Sequence, residues 1–377
     1  MHKIVFYPVG NGDTSQIILE NGKRILLDFR HCKESEEEGS PLINLKKRLK
    51  EELKEANRNS FDVVGFTHAD QDHICGSTEF FELWHADKYK GDDRVVISEL
   101  WVPAAMILEE ATADQKGQEF VILRQEARHR LKEGKGIRVF SKPEKLKAWL
   151  EENGLTLESR QHLITDAGKI APGFTLQSDG VEFFCHSPFI KHVDGGDELR
   201  NSASLIFNVR FQAGTNTFDY LAVGDADWEN LEEIVKTTKS HGNDDRLKWD
   251  IYNIPHHCSY LALSDKKGES ETEPKPRVKE LLEAGKEGSY IVSSSRPIAD
   301  TKEGREQDQP PHIQAKKCYE KYLRSVKGAK FLVTMEDPNE TKPEPIVFQI
   351  ESSGITRERR ITSAASIITS TPAPRAG

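Results

Sequence analysis

The chain has 377 residues, a formal net charge of −9 and 36% hydrophobic residues, enough for one large domain or two ordinary ones with a core that needs no cross-links. No run of about 18 apolar residues is present, so no membrane association is expected, and the negative balance argues against gripping a long nucleic acid through a basic face. Five cysteines, odd in number and without CxxC spacing, fit a reduced cytoplasm better than a disulfide framework.

Residues 3–8 (KIVFYP) and 15–19 (SQIIL) read as strands joined by the turn Gly10-Asn11-Gly12-Asp13, and residues 24–29 (RILLDF) as a third strand that carries Asp28 near its end. Strands this close with Gly/Asn/Asp turns predict an antiparallel meander. The first apolar run reaches Gly10 and Asp13 before any cleavage-like site, so it reads as a strand and not as a signal peptide. Leu42, Leu45, Leu49 and Leu53 recur at helical spacing over residues 42–57, and residues 61–67 (FDVVGFT) follow as a buried strand. This β-β-β-α-β opening places an acidic and histidine-rich cluster just past a strand end, where layered α/β proteins gather functional side chains.

In residues 78–180, helical patterns at 118–132 and 143–153 flank a short strand at 137–140, which predicts a helical insertion or cap over the site. Strand texture resumes at 181–185, 203–210, 219–223 and 249–254. A last α/β stretch covers 289–293, a helix at 313–325, and 330–334. Residues 351–377 turn to Ser, Thr, Arg, Pro and Ala without apolar period, which predicts a flexible tail after a single domain over 1–350.

The strongest chemical signal is Thr67-His68-Ala69-Asp70-Gln71-Asp72-His73. Any one of these polar residues alone reads as a solvated loop or a helix cap. Four candidate ligands within six residues, directly after an apolar strand, point instead to convergence on metal, and imidazole with carboxylate suits Zn²⁺, Mn²⁺ or Fe²⁺. Further along, His186, Asp225 and the pair His256–His257 each follow a strand. Taken singly, Asp225 is as readily a turn residue and His186 as readily a polar cap. His192 has no motif around it and reads as surface.

HADQDH resembles the HxHxDH signature of the metallo-β-lactamase superfamily, with Asp70 where most members have histidine. The HxDxDH form followed by Ile74 and Gly76 is similar to the hydrolase domain of ComEC-type DNA-uptake proteins. Other pieces resemble that group in order: Val9–Asp13 its VGQGD opening, residues 24–29 its second strand, Asn201-Ser202-Ala203-Ser204-Leu205 its N-x-x-S-L strand, Leu221–Asp225 its L-x-x-GD, Pro255–Ser259 its PHHGS, and Pro311-His312 its GHP. The resemblance implies an α+β fold, the metallo-β-lactamase αββα sandwich of two mixed sheets between helices, and a cofactor of two divalent ions, zinc or manganese. It implies His68, Asp70 and His186 around the first ion, Asp72, His73 and one of His256 or His257 around the second, with His257 favoured, and Asp225 bridging both. Asp28 and Asp13 would orient ligands from behind. Cys75 and Cys258 stand where the group has glycine or another small residue; Cys258 as an extra ligand and His312 as a substrate contact both stay open.

Two such ions about 3.5–4 Å apart make hydroxide available near neutral pH. Asp72 or Asp225 would take the remaining proton and His256 would donate to the leaving group. The resemblance favours a phosphodiester substrate, single-stranded DNA or a nucleotide, cleaved by a cytoplasmic phosphodiesterase or nuclease. Acidity favours the smaller substrate. The alternatives are a hydrolase of a lactone or thioester and a non-catalytic binding protein that kept the fold. A protein partner would dock through 78–180 or the tail.

Overall fold

The computed structural model describes residues 1–189 and 203–358. His192, Asn201, Ser202 and the tail from residue 359 lie outside the described residues. The first sheet is built from β1 (His2–Phe6), β2 (Ser15–Ile18), β3 (Arg24–Leu27), β4 (Ser60–Gly65), β5 (Val96–Pro103), β6 (Ile137–Phe140) and β7 (Ile164–Thr165). The second holds β8 (Val181–Ser187), β9 (Ile206–Ala213), β10 (Asn216–Val223), β11 (Trp249–Asn253), β12 (Gly285–Ser293) and β13 (Lys330–Val333). The chain then returns to the first sheet with β14 (Ile346–Glu351) and β15 (Gly354–Arg357), giving the order β15-β14-β1-β2-β3-β4-β5-β6-β7 beside β13-β12-β11-β10-β9-β8.

Both sheets are mixed. β1, β2 and β3 form the expected antiparallel meander, and β3 through β7 run parallel. β10 through β13 are likewise parallel, with β8 and β9 antiparallel beside them. Parallel strands need both faces covered, and helices supply the outer cover. α1 (Leu45–Glu55), α2 (Gln118–Glu133) and α3 (Glu144–Glu152) bury Leu49, Leu123, Leu131 and Leu146 on the first sheet. α4 (Trp228–Ser240), α5 (Pro276–Glu283) and α6 (Ile313–Ser325) bury Ile234, Leu281 and Tyr319 on the second. The architecture is therefore the αββα sandwich the sequence leads one to expect.

β1 shows how residue order makes these layers. Ile4 and Phe6 point between the sheets while Val5 and Tyr7 point to the helices, the period of two that a pleated strand imposes. Between the sheets, Trp101 of β5 meets Phe140 and Phe183 edge-on, with ring centroids 5.4 and 5.1 Å away.

Two expectations are corrected here. Residues 78–180 are not a helical cap: β5, β6 and β7 widen the first sheet, and α2 and α3 cover its outer face. β5 (VISELWVP) interleaves Ser98 and Glu99 with apolar residues, so no unbroken apolar run betrays it. The stretch expected as tail from residue 351 first contributes β15, paired antiparallel with β14.

Trp101 is fully buried and joins both sheets, so Trp101→Ala should lower the unfolding free energy by about 3–5 kcal/mol, read from urea denaturation against the parent chain.

Candidate metal centre

Four strand ends and one turn converge where the sheets meet. β3 delivers Asp28, β4 delivers Thr67 and His68, β10 delivers Asp225 through Gly224, and β11 leads to Asn253 and His257. The β1–β2 turn delivers Asp13. Side chains of Asp13, His73, Asp225 and His257, all buried, offer ligand atoms within 4.8 Å of one another, and His68, Asp72 and His73 form an overlapping group. These residues could hold a metal ion.

Asp28 organises the motif loop from below. Its Oδ1 accepts from the Thr67 backbone N–H at 2.7 Å, and its Oδ2 accepts from Thr67 Oγ1 at 2.7 Å and from His73 Nδ1 at 2.8 Å. With Nδ1–H so engaged, the Nε2 lone pair of His73 faces the cluster, the second-layer arrangement that metal-binding histidines require. His257 is set the same way: its Nδ1 donates to the Ser294 carbonyl at 2.9 Å, leaving Nε2 2.9 Å from Asp72 Oδ2. Gly224 permits this packing, because a Cβ there would lie 2.7 Å from Thr67 Oγ1.

Asp225 lies in the middle. Its Oδ1 is 3.2 Å from His73 Nε2 and 3.9 Å from His257 Nε2, and its Oδ2 is 3.8 Å from His68 Nε2 and 3.9 Å from His256 Nε2. The His68 and His73 rings sit 3.8 Å apart between centroids. Yet Asp13 Oδ2, His68 Nε2, His73 Nε2 and Asp225 Oδ1 are buried without a hydrogen-bond partner. Buried polar atoms left unpaired cost free energy, and four gathered in two overlapping groups of candidate ligands are what bound cations would satisfy. The donor set fits a divalent transition ion.

The electrostatics agree. Burial pushes His73 down, but Asp225, Asp28 and Asp72 together overcome it and hold the imidazole well above its usual range. Burial also opposes charging of His257, and Asp225 and Asp72 still bring it up to about 9. Asp225 is held well below the carboxylate range, burial being outweighed by His73 and His257. Burial and the neighbouring His73 push His68 down. The carboxylates thus draw protons onto two histidines, and a cation would displace those protons because ligand imidazoles bind neutral.

His256 and His257 separate clearly. His257 is 3% exposed and inside the cluster; His256 is 25% exposed at its mouth. Both, with Cys258, adopt left-handed backbone (φ 51°, 53° and 67°), a conformation that costs an L-residue roughly 1–2 kcal/mol. The turn is held by Ser259 N–H on the His256 carbonyl and His312 N–H on the Cys258 carbonyl. A residue with φ 67° explains why the resembled motif has glycine at this position. Cys258 Sγ packs towards the His312 carbonyl, away from the cluster.

Of the other residues singled out, Asp72 is in place, and Asp70, half-buried like Asp72, has Oδ2 3.9 Å from His68 Nε2. His186 is a correction. Its Nδ1 pairs with Thr238 Oγ1 at 3.1 Å and its Nε2 with the Arg246 carbonyl at 3.0 Å, so both nitrogens are spent on the α4 side, away from the cluster. His312 is spent too, accepting from Tyr260 N–H and pairing with the Asp308 carbonyl. Sequence reasoning missed Asn253, which donates to Asp13 Oδ1 at 3.4 Å and accepts from Ser294 Oγ at 3.3 Å. Its signal was a polar residue ending an apolar strand beside Pro-His-His.

No family model matches this chain, and no curated protein matches it. Among solved structures it is similar to unliganded yeast PDE1, at 10% identity over 88% of this chain and 97% of that one, with a TM-score of 0.42. It is also similar to the metallo-β-lactamase GOB-18 from Elizabethkingia meningoseptica, at 12% identity over 86% and 89%, TM-score 0.32. A diphosphatase from the PhnP family matches at 13% identity over 83% and 95%, TM-score 0.30. Likenesses this distant carry no inference about the chemistry of the site.

Asp28→Ala frees His73, and titration with Zn²⁺ should show affinity reduced by about 10–100-fold. His186→Asn should leave Zn²⁺ affinity within about twofold of the parent while costing about 1–3 kcal/mol of stability for the polar groups it strands; a fall in affinity matching that of Asp28→Ala would return His186 to the ligand set.

Proposed function

We propose that this chain is a metal-dependent hydrolase whose substrate is a phosphodiester. The observation that carries the hydrolase reading is the gathering of buried, unpartnered ligand atoms in two overlapping groups at the strand ends, with His73 and His257 oriented from behind by Asp28 and Ser294. The ordered motifs resembling ComEC-type hydrolase domains support a phosphodiester over a lactone or thioester. The net charge of −9 favours a nucleotide-sized substrate over long single-stranded DNA. Five free thiols favour a reducing, cytoplasmic setting.

In this reading His68 and Asp70 would help hold one cation and Asp72, His73 and His257 another, and Asp225 would serve with them. Bound zinc or manganese would supply an acidified water and neutralise charge developing on phosphorus oxygens. The chain does the rest. Asp72 is partly exposed and fixed by His257, so its carboxylate meets incoming water and takes its proton. His256 stands at the mouth with Nε2 free of hydrogen bonds among the described residues, placed to give a proton to the departing oxygen. Asp225 is buried among His68, His73 and His257 and would offer its carboxylate to the cations in place of the protons those histidines lose. None of the described residues forms a nucleophile elbow, and the chemistry requires no covalent enzyme intermediate.

The decisive assay is hydrolysis of bis-p-nitrophenyl phosphate, a dinucleotide and labelled single-stranded DNA with added Mn²⁺ or Zn²⁺. Asp225→Ala should abolish turnover, and His256→Ala should reduce kcat by about 10²–10⁴-fold with metal content unchanged. Metal uptake without cleavage of any phosphodiester would shift the reading to lactones and thioesters; no uptake would shift it to a binding protein.

A further inference from the structure

We propose that Asp13, carried by the β1–β2 turn, is a direct metal ligand, and that Asp13, His73, Asp225 and His257 form the most buried cation site among the described residues. The inference rests on the metal-binding reading above and extends its ligand set by a residue that the motif resemblance places only behind the ligands.

An aspartate behind a metal site orients a ligand histidine by accepting from its far nitrogen. Asp13 has no such work to do. His73 Nδ1 is taken by Asp28 at 2.8 Å and His257 Nδ1 by the Ser294 carbonyl at 2.9 Å. Asp13 Oδ2 stands 4.0 Å from that His257 nitrogen and 3.8 Å from His73 Nε2, the nitrogen that faces the cluster. Oδ2 is buried and has no hydrogen-bond partner, while Oδ1 is steadied by Asn253. One oxygen is therefore tethered and the other points, bare, at the same place as the ligand atoms of His73, Asp225 and His257.

The turn is built to hold it there. Asp13 N–H donates to the Asp72 carbonyl at 3.2 Å. A Cβ on Gly12 would lie 2.8 Å from that same carbonyl and collide with Arg30, so glycine is what lets the turn press against the motif loop. Asn11 pins the outer side, accepting from Arg296 N–H and donating to the Pro310 carbonyl, both at 2.8 Å. Fixing a buried carboxylate with a vacant coordination direction is costly unless a cation compensates it. With His186 turned away, the described donors become Asp13, Asp70, Asp72 and Asp225 with His68, His73 and His257, a harder set than the motif resemblance implies.

The test uses the full chain, stripped with chelator and titrated with Co²⁺. Asp13→Cys should develop a thiolate-to-cobalt charge-transfer band in the near ultraviolet that the parent lacks, because only a coordinated sulfur gives one. Asp13→Asn should bind Zn²⁺ at least about tenfold more weakly than the parent, while its metal-free form melts at or above the metal-free parent. Asp13→Cys that binds Co²⁺ without the band overturns the proposal. If that variant does not fold, Asp13→Asn decides, and parent-like Zn²⁺ affinity overturns the proposal. A parent chain that takes up no metal, when Asp225→Asn also behaves like it, removes the metal-binding reading itself.

Discussion

Asp28 carries three hydrogen bonds on one buried carboxylate, and the rest of the site depends on them. The residue ends β3 in left-handed backbone (φ 58°), which turns its side chain under the neighbouring strand end. From there it fixes the first residue of the motif loop through Thr67 N–H, the loop's hydroxyl through Oγ1, and His73 through Nδ1. Charge-assisted bonds of this kind are the strong ones. Strain in the Asp28 backbone is tolerated because parallel pairing of β3 with β4 and the bond from Asp28 N–H to the Gly65 carbonyl over-determine its position.

The site is a seam between two half-structures. The first sheet and its loops supply Asp13, Asp28, His68, Asp72 and His73; the second supplies Asp225, Asn253, His257 and Ser294. Each half has its own internal support, Asp28 on one side and the Ser294 carbonyl on the other. What they share is the charge balance: carboxylates from both halves face imidazoles from both halves across a few ångströms. Like charges brought so close are tolerable only with protons or a cation between them.

Much of this was legible in the residues. The β1–β2–β3 meander, α1, β4, the strand at 137–140 and α6 follow from periodicity and turn chemistry, because each is a short-range pattern with one buried face. The cluster of His68, Asp72 and His73 was legible because four ligand-type residues crowd one loop. The widening of the first sheet by β5 and β7 was not, since a parallel edge built by crossovers leaves no hairpin signal. Nor was the rotation of His186: ring orientation at a strand end is decided by the helix packed against it, here through Thr238 of α4, which lies 52 residues further on. Asn253 and the full place of Asp13 were hidden because the bond between them joins opposite sheets, 240 residues apart.

The turn at residues 10–13 also ties time to structure. Its fastenings reach Asn253, Arg296 and Pro310, so contacts of 240, 285 and 299 residues' separation close around it. Chains are made from the N-terminus, and long-range contacts are the slowest to form. The turn must therefore wait, its glycines unfastened, until residues 253, 296 and 310 have been made. A nascent chain released early would keep the whole HADQDH motif and still lack the pocket.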